Sequence, residues 1–252
     1  MHFDFLIGMS FGYWAERHRR HHTYPNDPER DPEVTNEFIA FTFAQMHARS
    51  GLRRRLSRYQ AILFFPGIFL LQPYAMHLTH ARQLLRSRHR GWVAESCLLA
   101  MHAALYITAV FLVLSPTLAV VFVIVQQGLF SAYLGGIIAP NHKGMEIQHD
   151  STGTGFLIRQ LHSSRNIRGG LLTEILFGGL NYQIEHHLFP SMPTPCLRRT
   201  KPIVRAYCER HNLIYVETSL FGSYRALLTY LHAVGRSSAS EIPAPGIDMA
   251  RS

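Results

Sequence analysis

The chain has 252 residues, of which 47% are hydrophobic, and a formal net charge of +9. The apolar residues lie in three long runs, which excludes an ordinary soluble domain and indicates an integral membrane protein. A basic excess in such a protein is typical of loop arginines that set topology, so we expect no nucleic-acid partner. Three cysteines without a CxxC pair leave nitrogen and oxygen as the expected ligands of any bound metal.

The first predicted helix leads into a group of histidines. Residues 1–14 are apolar and aromatic but too short to span a bilayer, so we place this stretch at the membrane surface. His18, His21 and His22, the first cluster, follow with the spacing i, i+3, i+4, which brings three imidazoles to one face of a helix. Two prolines shortly after the cluster predict that this helix ends there.

The three apolar runs differ in their flanking charges. Run 61–76 is broken by prolines and has arginine-rich segments on both sides, which predicts an in-plane or re-entrant helix. Runs 93–114 and 117–139 are separated by a Ser-Pro turn without a nearby charge, which predicts a transmembrane hairpin. The hairpin crosses and returns, so the segments before and after it are expected on the same, cytoplasmic side.

A second cluster with the same spacing follows the hairpin. Gln183, His186 and His187 have the pattern i, i+3, i+4, immediately before an apolar run and a proline. His142 follows the second hairpin helix near the level where the two clusters should meet, and Asn141 beside it could hold a metal-bound water. Gln183 is likewise a candidate to hold a metal directly or through water. The predicted metal ligands are His18, His21, His22, His142, His186 and His187.

These residues favour a redox-active metal site. The five histidines of the two clusters exceed what one four-coordinate zinc requires, and oxygen activation needs a metal that changes oxidation state. Two iron ions are therefore the first choice, with a long apolar substrate supplied by the bilayer. Each cluster alone could also be a surface helix without metal. His149 and His162 are expected to be ordinary polar residues, and His77 and His80, one helical turn apart at the end of run 61–76, are expected to be interfacial histidines.

The fold class that these patterns predict is an all-α membrane protein. A transmembrane helical hairpin and an in-plane helix carry a cytoplasmic helical cap, which holds the histidine boxes. A single domain is expected over residues 1–234, followed by a disordered tail over 235–252. Past the hairpin, we predict a β-prone stretch over 215–218 and helices over 156–161, 171–177, 203–212 and 223–234.

The motifs resemble those of the membrane fatty acid desaturases, especially the bacterial acyl-CoA or acyl-lipid type related to front-end desaturases. The first cluster matches the HxxHH box of that family, and the second matches its variant QxxHH box within NYQIEHHLFPSMP. The stretches APNHKGM, SRNIRGG and ETSLFGSYR are also similar to the family. The resemblance covers nearly the whole chain, so the predicted domain is a membrane fatty acid desaturase domain.

The resemblance implies a non-haem di-iron enzyme that uses O2 and two electrons to insert a cis double bond into an acyl chain. The substrate would be a membrane lipid or an acyl-CoA, and the protein would lie in a bacterial cytoplasmic membrane. Because the chain has no HPGG motif of a fused cytochrome b5 domain, a separate ferredoxin or cytochrome b5-type carrier and its reductase would supply electrons. Arg17, Arg19, Arg165 and Arg168 could dock an acidic carrier of this kind.

One family feature has no counterpart in this sequence. The family has an HxxxH box upstream of HxxHH, which supplies two further iron ligands and follows two membrane helices. Only seventeen residues precede His18, and His2 is the only histidine among them. We therefore expect an N-terminally truncated desaturase domain. Two alternatives remain: an inactive remnant, and a di-iron hydroxylase of lipids or alkanes.

Overall fold

The computed structural model describes residues 2–35, 38–87, 90–149 and 153–237. The chain divides into two compact units: the first contains Met1–Arg19 and Phe65–Gly135, and the second contains Arg20–Phe64 and Gly136–Ser252. The described helices in chain order are α1 (His2–Ile7), α2 (Phe11–Thr23), α3 (Phe43–Ala48), α4 (Gly51–Ser57), α5 (Gln60–Leu70), α6 (Gln72–Ser87), α7 (Trp92–Val113), α8 (Pro116–His142), α9 (Phe156–Ser163), α10 (Leu171–Phe177), α11 (Gln183–Leu188), α12 (Thr194–Arg210) and α13 (Leu220–Arg236).

The predicted membrane hairpin is confirmed. Helices α7 and α8 are 22 and 27 residues long, with mean hydropathies of 2.0 and 1.8 in their most apolar windows, so both could cross a membrane. Helix α7 ends at Val113, and α8 begins at Pro116, a position where the missing N–H of proline costs nothing. The structure is that of an all-α membrane protein, as the sequence predicts.

The run 61–76 forms two helices rather than one straight span. Helix α5 ends at Leu70, α6 begins at Gln72, and the axes of the two helices differ by 62°. The predicted break is therefore present, and the pair is either a broken span or a re-entrant loop. The in-plane orientation stays a prediction.

Helix α2, which carries the first cluster, has a well-satisfied N-terminus in the first unit. Residues 2–14 contain α1 and the start of α2, rather than the single helix end that the sequence suggests. The backbone amide of Phe11 donates to Asp4 (2.8 Å), and that of Gly12 donates to Glu95 of α7 (3.2 Å). The Ser10 hydroxyl also donates to Glu95. Carboxylates at this end suit the exposed N–H groups and the helix dipole.

Two short parallel strands lie in the second unit. Strand β1 (Asn166–Arg168) pairs with β2 (Glu217–Ser219) in the register Asn166 to Glu217. The prediction of a β-prone stretch at 215–218 is therefore close, whereas β1 lies in a segment that the sequence suggests only as a connection. Among the described residues, this two-stranded sheet is the one β-structure, and all other elements are helices.

The helices that follow the hairpin agree with the predicted ones in place and differ in length. Helices α9 and α10 match the predictions closely, and α12 and α13 begin earlier than predicted. Helix α13 continues to Arg236, so the first two residues of the predicted tail are helical. Residues 238–252 of that tail lie outside the described residues.

A small apolar core joins three helices of the second unit. Leu161 of α9, Ile184 of α11, and Val204 and Cys208 of α12 are buried together. Full burial of a side chain such as Leu161 or Ile184 contributes about 1.5–3 kcal/mol. The core therefore fixes α9 against α11, directly beside the residues that form the candidate site.

Candidate metal centre

Both histidine clusters lie on helices, as their spacing predicts. His18, His21 and His22 are on α2, where His21 and His22 occupy the last turn and are buried. Gln183, His186 and His187 are on α11, which follows a chain reversal at two glycines with positive φ angles. Protonatable side chains in a last turn also suit the helix dipole.

Three imidazoles from three helices converge inside the second unit. The ring nitrogens of His21, His142 and His187 can all lie within 4.8 Å of one another, and all three side chains are buried. The Nε2 atoms of His21 and His142 are 3.3 Å apart. The ring of His187 lies 5.0 Å from that of His21 and 4.5 Å from that of His142, centroid to centroid. We call these three residues the central group.

His21 is oriented by a buried carboxylate. Its Nδ1 lies 3.0 Å from both oxygens of Asp31, which also accept hydrogen bonds from the backbone amides of Asn26 and Glu33. Burial alone would raise the pKa of the Asp31 carboxyl, but the charge and hydrogen bond of His21 outweigh it and lower the pKa to about 2. When His21 is neutral, the ionised Asp31 keeps its remaining proton on Nδ1, so the lone pair is on Nε2.

The other two members of the central group are held in the same way. His142 Nδ1 donates to the carbonyl oxygen of Ser163 (2.9 Å), and His187 Nδ1 donates to Oε1 of Gln160 (2.9 Å). Both acceptors are on α9 and are fully buried. Each histidine of the central group therefore directs Nε2, without its proton, toward the other two.

The Nε2 atom of His187 is buried and has no hydrogen-bond partner among the described residues. Such an atom costs about 1–3 kcal/mol unless a ligand satisfies it. Burial, and then the neighbouring imidazoles of His142 and His22, lower the pKa of His187 well below its ordinary value. A neutral imidazole with an unused lone pair is the form that binds a metal ion. The central group therefore fits a cation.

A second pair of imidazoles lies beside the central group. The rings of His22 and His186 are 4.6 Å apart and nearly perpendicular, and His22 stacks on His187 at 4.2 Å. The first unit contains His18, one helical turn before His22, where its ring stacks on Trp14 at 4.7 Å. The five predicted histidines of the second unit are thus all brought together.

The two amides of the predicted site bond to each other. Gln183 Nε2 donates to His142 Nε2 (2.9 Å), and Gln183 Oε1 accepts from Asn141 Nδ2 (3.0 Å). Asn141 Nδ2 also donates to the carbonyls of Ile137 and Leu180. Asn141 is therefore engaged in orienting Gln183, and its suggested role in holding a metal-bound water stays a prediction.

The end of α8 is fixed by α13, which positions His142. Pro140 has no N–H, so the carbonyl of Gly136 cannot receive its helical hydrogen bond. The hydroxyl of Tyr224 donates to that carbonyl instead (2.8 Å), and Ser223 Oγ donates to the Pro140 carbonyl (2.7 Å). The freed backbone groups next to His142 are thereby satisfied.

A family model for fatty acid desaturases matches residues 1–219. The chain belongs to the fatty acid desaturase family. Three curated relatives are similar over most of this desaturase chain. The Delta(8)-fatty-acid desaturase of Euglena gracilis is 31% identical over 251 residues, which cover 94% of this chain and 59% of that protein.

The other two relatives are similar at the same level. The acyl-lipid (9-3)-desaturase of Physcomitrium patens is 27% identical, over 94% of this chain and 46% of its own length. The fatty acid desaturase 3 of Bos taurus is 30% identical, over 83% of this chain and 47% of its own. The chain spans about half the length of these curated relatives. No solved structure matches it.

Sequence reasoning missed the residues that orient the desaturase histidines. Asp31, Gln160 and Ser163 lie outside both boxes, and nothing in their local pattern indicates a contact with an imidazole. Glu185 inside the second box is also buried, and it accepts hydrogen bonds from Asn166 (2.7 Å) and Tyr215 (2.8 Å). Burial raises the pKa of Glu185, and the hydrogen bonds oppose that rise. These bonds hold α11 against β1.

Other histidines have partners of their own. His162 contacts Glu146 at 2.7 Å, His77 contacts the Gly8 carbonyl at 3.0 Å, and the ring of His80 lies 4.8 Å from that of Tyr13. These are ordinary polar and packing contacts. His149 is exposed.

Arg165, one of the arginines suggested for carrier docking, is not at the protein surface. Arg165 is buried, and its guanidinium donates to the carbonyl of Lys143, so it cannot face a partner protein. Burial lowers its pKa to about 10. Arg168, three residues further along, is exposed.

Proposed function

We propose that this chain is part of an O2-dependent fatty acyl desaturase that inserts a cis double bond into an acyl chain. The observation that supports the proposal most is the central group. Three buried imidazoles each donate from Nδ1 to a fixed acceptor, and their Nε2 atoms face one another. This arrangement is typical of metal-binding histidines and their outer partners.

Two non-haem iron ions are the proposed metals. His21, His142 and His187 would hold one, and His22 and His186 would contribute to the second. His18 joins that second set because it lies four residues before His22 on the same face of α2. Gln183 lies beside this first set, because its Nε2 contacts His142 Nε2. When bound, iron would supply the activation of O2 and the removal of hydrogen from an unactivated methylene pair.

The described side chains would prepare this site in three ways. Burial excludes water from the central group, and the neutral imidazole of His187 keeps its Nε2 lone pair available. The bonds to Asp31, Ser163 and Gln160 fix the ring orientations before a metal arrives. The same bonds keep the protons on the outer nitrogens, so metal binding at Nε2 needs no tautomer change.

The substrate is proposed to be the acyl chain of a membrane lipid or an acyl-CoA. Two helices long enough to cross a bilayer and the names of the relatives, one of them an acyl-lipid desaturase, support a substrate from the membrane. Electrons would come from a separate ferredoxin or cytochrome b5-type carrier and its reductase. Exposed arginines such as Arg168 would attract an acidic carrier.

The proposed location is a bacterial cytoplasmic membrane, with both histidine helices on the cytoplasmic side. Arginine-rich segments flank the run 61–76, and loops of this kind stay cytoplasmic. The chain is proposed to be of the front-end-like, QIEHH type of desaturase, and the glutamine at the first position of the variant box supports this proposal. This assignment rests on the sequence of α11 and on the relatives named above.

The test is to express the full chain in a host membrane and to measure two quantities. Iron is determined in the purified protein by mass spectrometry, and acyl chains of the host are analysed by gas chromatography of their methyl esters. A desaturase gives bound iron and new cis double bonds. Hydroxylated acyl chains would indicate the hydroxylase, and protein without iron or new products would contradict the proposal and indicate an inactive remnant.

A further inference from the structure

Gln160 lies in the middle of α9 and outside both histidine boxes. Its side chain is fully buried, and its neighbour Leu161 packs in the core against Ile184 of α11. A buried glutamine must satisfy both its oxygen and its NH2 group, because an unpaired polar group costs about 1–3 kcal/mol. The partners of Gln160 therefore show what the side chain does.

The two ends of the Gln160 amide bind to two different histidine helices. Its Oε1 accepts the hydrogen bond from His187 Nδ1 on α11 (2.9 Å). Its Nε2 donates to the backbone carbonyl of His22 on α2 (2.9 Å). That carbonyl is among the last four of α2, which have no donor within the helix. One side chain thus closes the end of α2 and orients a ring on α11.

An amide suits this position because the two partners have opposite needs. His187 offers a proton and needs an acceptor, whereas the His22 carbonyl accepts and needs a donor. A carboxylate could serve only His187, and an aliphatic side chain could serve neither partner. Without the acceptor, nothing on α9 would keep the His187 proton on Nδ1, and Nε2 could carry it toward the centre of the central group.

We infer that Gln160 is a positioning residue of the metal centre, which sets the tautomer of His187 and links the helices of the two histidine clusters. The inference rests on the proposed function, because it assigns a role toward the metal that the histidines would hold. Loss of an outer partner of this kind typically lowers metal affinity by about 10–100-fold. The affinity loss is the quantity that separates this role from simple packing.

The structure offers a matched control in Gln60. This glutamine is also buried, and its amide also joins separate parts of the second unit: Oε1 accepts from the Ala40 amide (2.9 Å), and Nε2 donates to the Leu231 carbonyl (2.9 Å). None of its described partners is a histidine. Gln60→Leu therefore removes a comparable buried amide without touching the central group.

The experiment compares wild type, Gln160→Leu, Gln160→Glu and Gln60→Leu, each as the full chain in detergent. Binding of Co²⁺ is followed by its visible absorption and by metal analysis, and unfolding of the metal-free proteins is followed by circular dichroism. We expect Gln160→Leu to bind Co²⁺ about 10–100-fold more weakly than wild type. Gln160→Glu, which keeps the acceptor for His187, is expected to retain most of the affinity and the absorption spectrum.

The variants also separate positioning from stability. Gln160→Leu, Gln160→Glu and Gln60→Leu should all unfold at lower temperature than wild type, because each loses a buried donor. Only Gln160→Leu should lose metal affinity. Equal Co²⁺ affinity in wild type and Gln160→Leu, or equal losses in Gln160→Leu and Gln160→Glu, would overturn the inference while leaving the metal centre intact. Failure of wild type itself to bind Co²⁺ would instead contradict the proposed function.

Discussion

Histidines of the two units use their ring nitrogens differently. In the first unit, His77 has a partner on each side of the ring, the Gly8 carbonyl at 3.0 Å and Gln127 Oε1 at 3.1 Å, and His102 contacts the Phe5 carbonyl. In the second unit, His21 and His187 use Nδ1 for a fixed acceptor and direct Nε2 toward other imidazoles. The number of histidines is thus a weaker sign of a metal centre than the direction of their unprotonated nitrogens.

The comparison is tested most strongly by removing one histidine from each unit. His187→Ala deletes a ring of the central group, and we expect metal affinity to fall by more than the about 100-fold that outer partners contribute. His77→Ala deletes a ring that joins α6 to the Gly8 turn and to α8, and we expect a stability loss with unchanged metal binding. Metal analysis of both purified variants measures the difference.

A similar loss of metal in His77→Ala and His187→Ala would contradict the comparison. It would mean that metal uptake depends on general integrity of the chain rather than on the central group. Thermal unfolding of both variants without metal serves as the control, because a folded His187→Ala protein that takes up no metal isolates the effect of the ligand.

The orienting carboxylate of His21 gives the next largest effect. Asp31→Asn keeps an oxygen acceptor near Nδ1 but removes the negative charge, and it is expected to weaken metal binding by about 10–100-fold. Asp27→Asn is the matched control, because Asp27 is also buried in the same segment and accepts from the backbone amides of Glu29 and Arg30. Titration with Co²⁺ measures both. Equal affinities for the two variants would show that the charge of Asp31 has no role at the site.

Sequence patterns predicted the parts of this molecule that depend on short-range periodicity. Hydropathy located α7 and α8, and the spacing i, i+3, i+4 placed both clusters on helix faces. The outer partners could not be found in this way, since Asp31 is 10 residues from His21 and Gln160 is 27 residues from His187. A single polar residue that meets an imidazole through tertiary packing leaves no periodic signal.

Strand β1 and the break between α1 and α2 were missed for the same physical reason. Asn166 pairs with Glu217, about fifty residues along the chain, so β1 forms through pairing with a strand that is distant in sequence. The break before α2 is stabilised by His102 and Glu95, which belong to α7. In each case the decisive partner is far away in sequence.

Tyr224→Phe tests how the position of the His142 ring at the end of α8 is maintained. Tyr224→Phe leaves the Gly136 carbonyl without the donor that compensates for Pro140, which should cost about 1–3 kcal/mol of stability. Tyr207→Phe, on the exposed side of α12, is the control and should be close to neutral. We expect Tyr224→Phe to lower metal affinity less than Asp31→Asn, because the ring of His142 keeps its Ser163 acceptor. Unfolding curves and Co²⁺ titrations together test this order.

The smallest effect is expected at the start of α2, where Asp4 and Glu95 accept hydrogen bonds from the first backbone amides of the helix. Glu95→Ala removes the acceptor of the Gly12 amide and of the Ser10 hydroxyl, and loss of an N-terminal cap costs about 0.5–2 kcal/mol. Ser96→Ala is the neighbouring control, since the Ser96 hydroxyl donates to the Trp92 carbonyl of its own helix. If Glu95→Ala changed metal affinity as much as Asp31→Asn, hydrogen bonds of the first unit would have to determine the positions of the histidines. An unchanged affinity would instead show that the last turn of α2 is positioned by its contacts to Asp31 and Gln160, and that capping in the first unit serves stability.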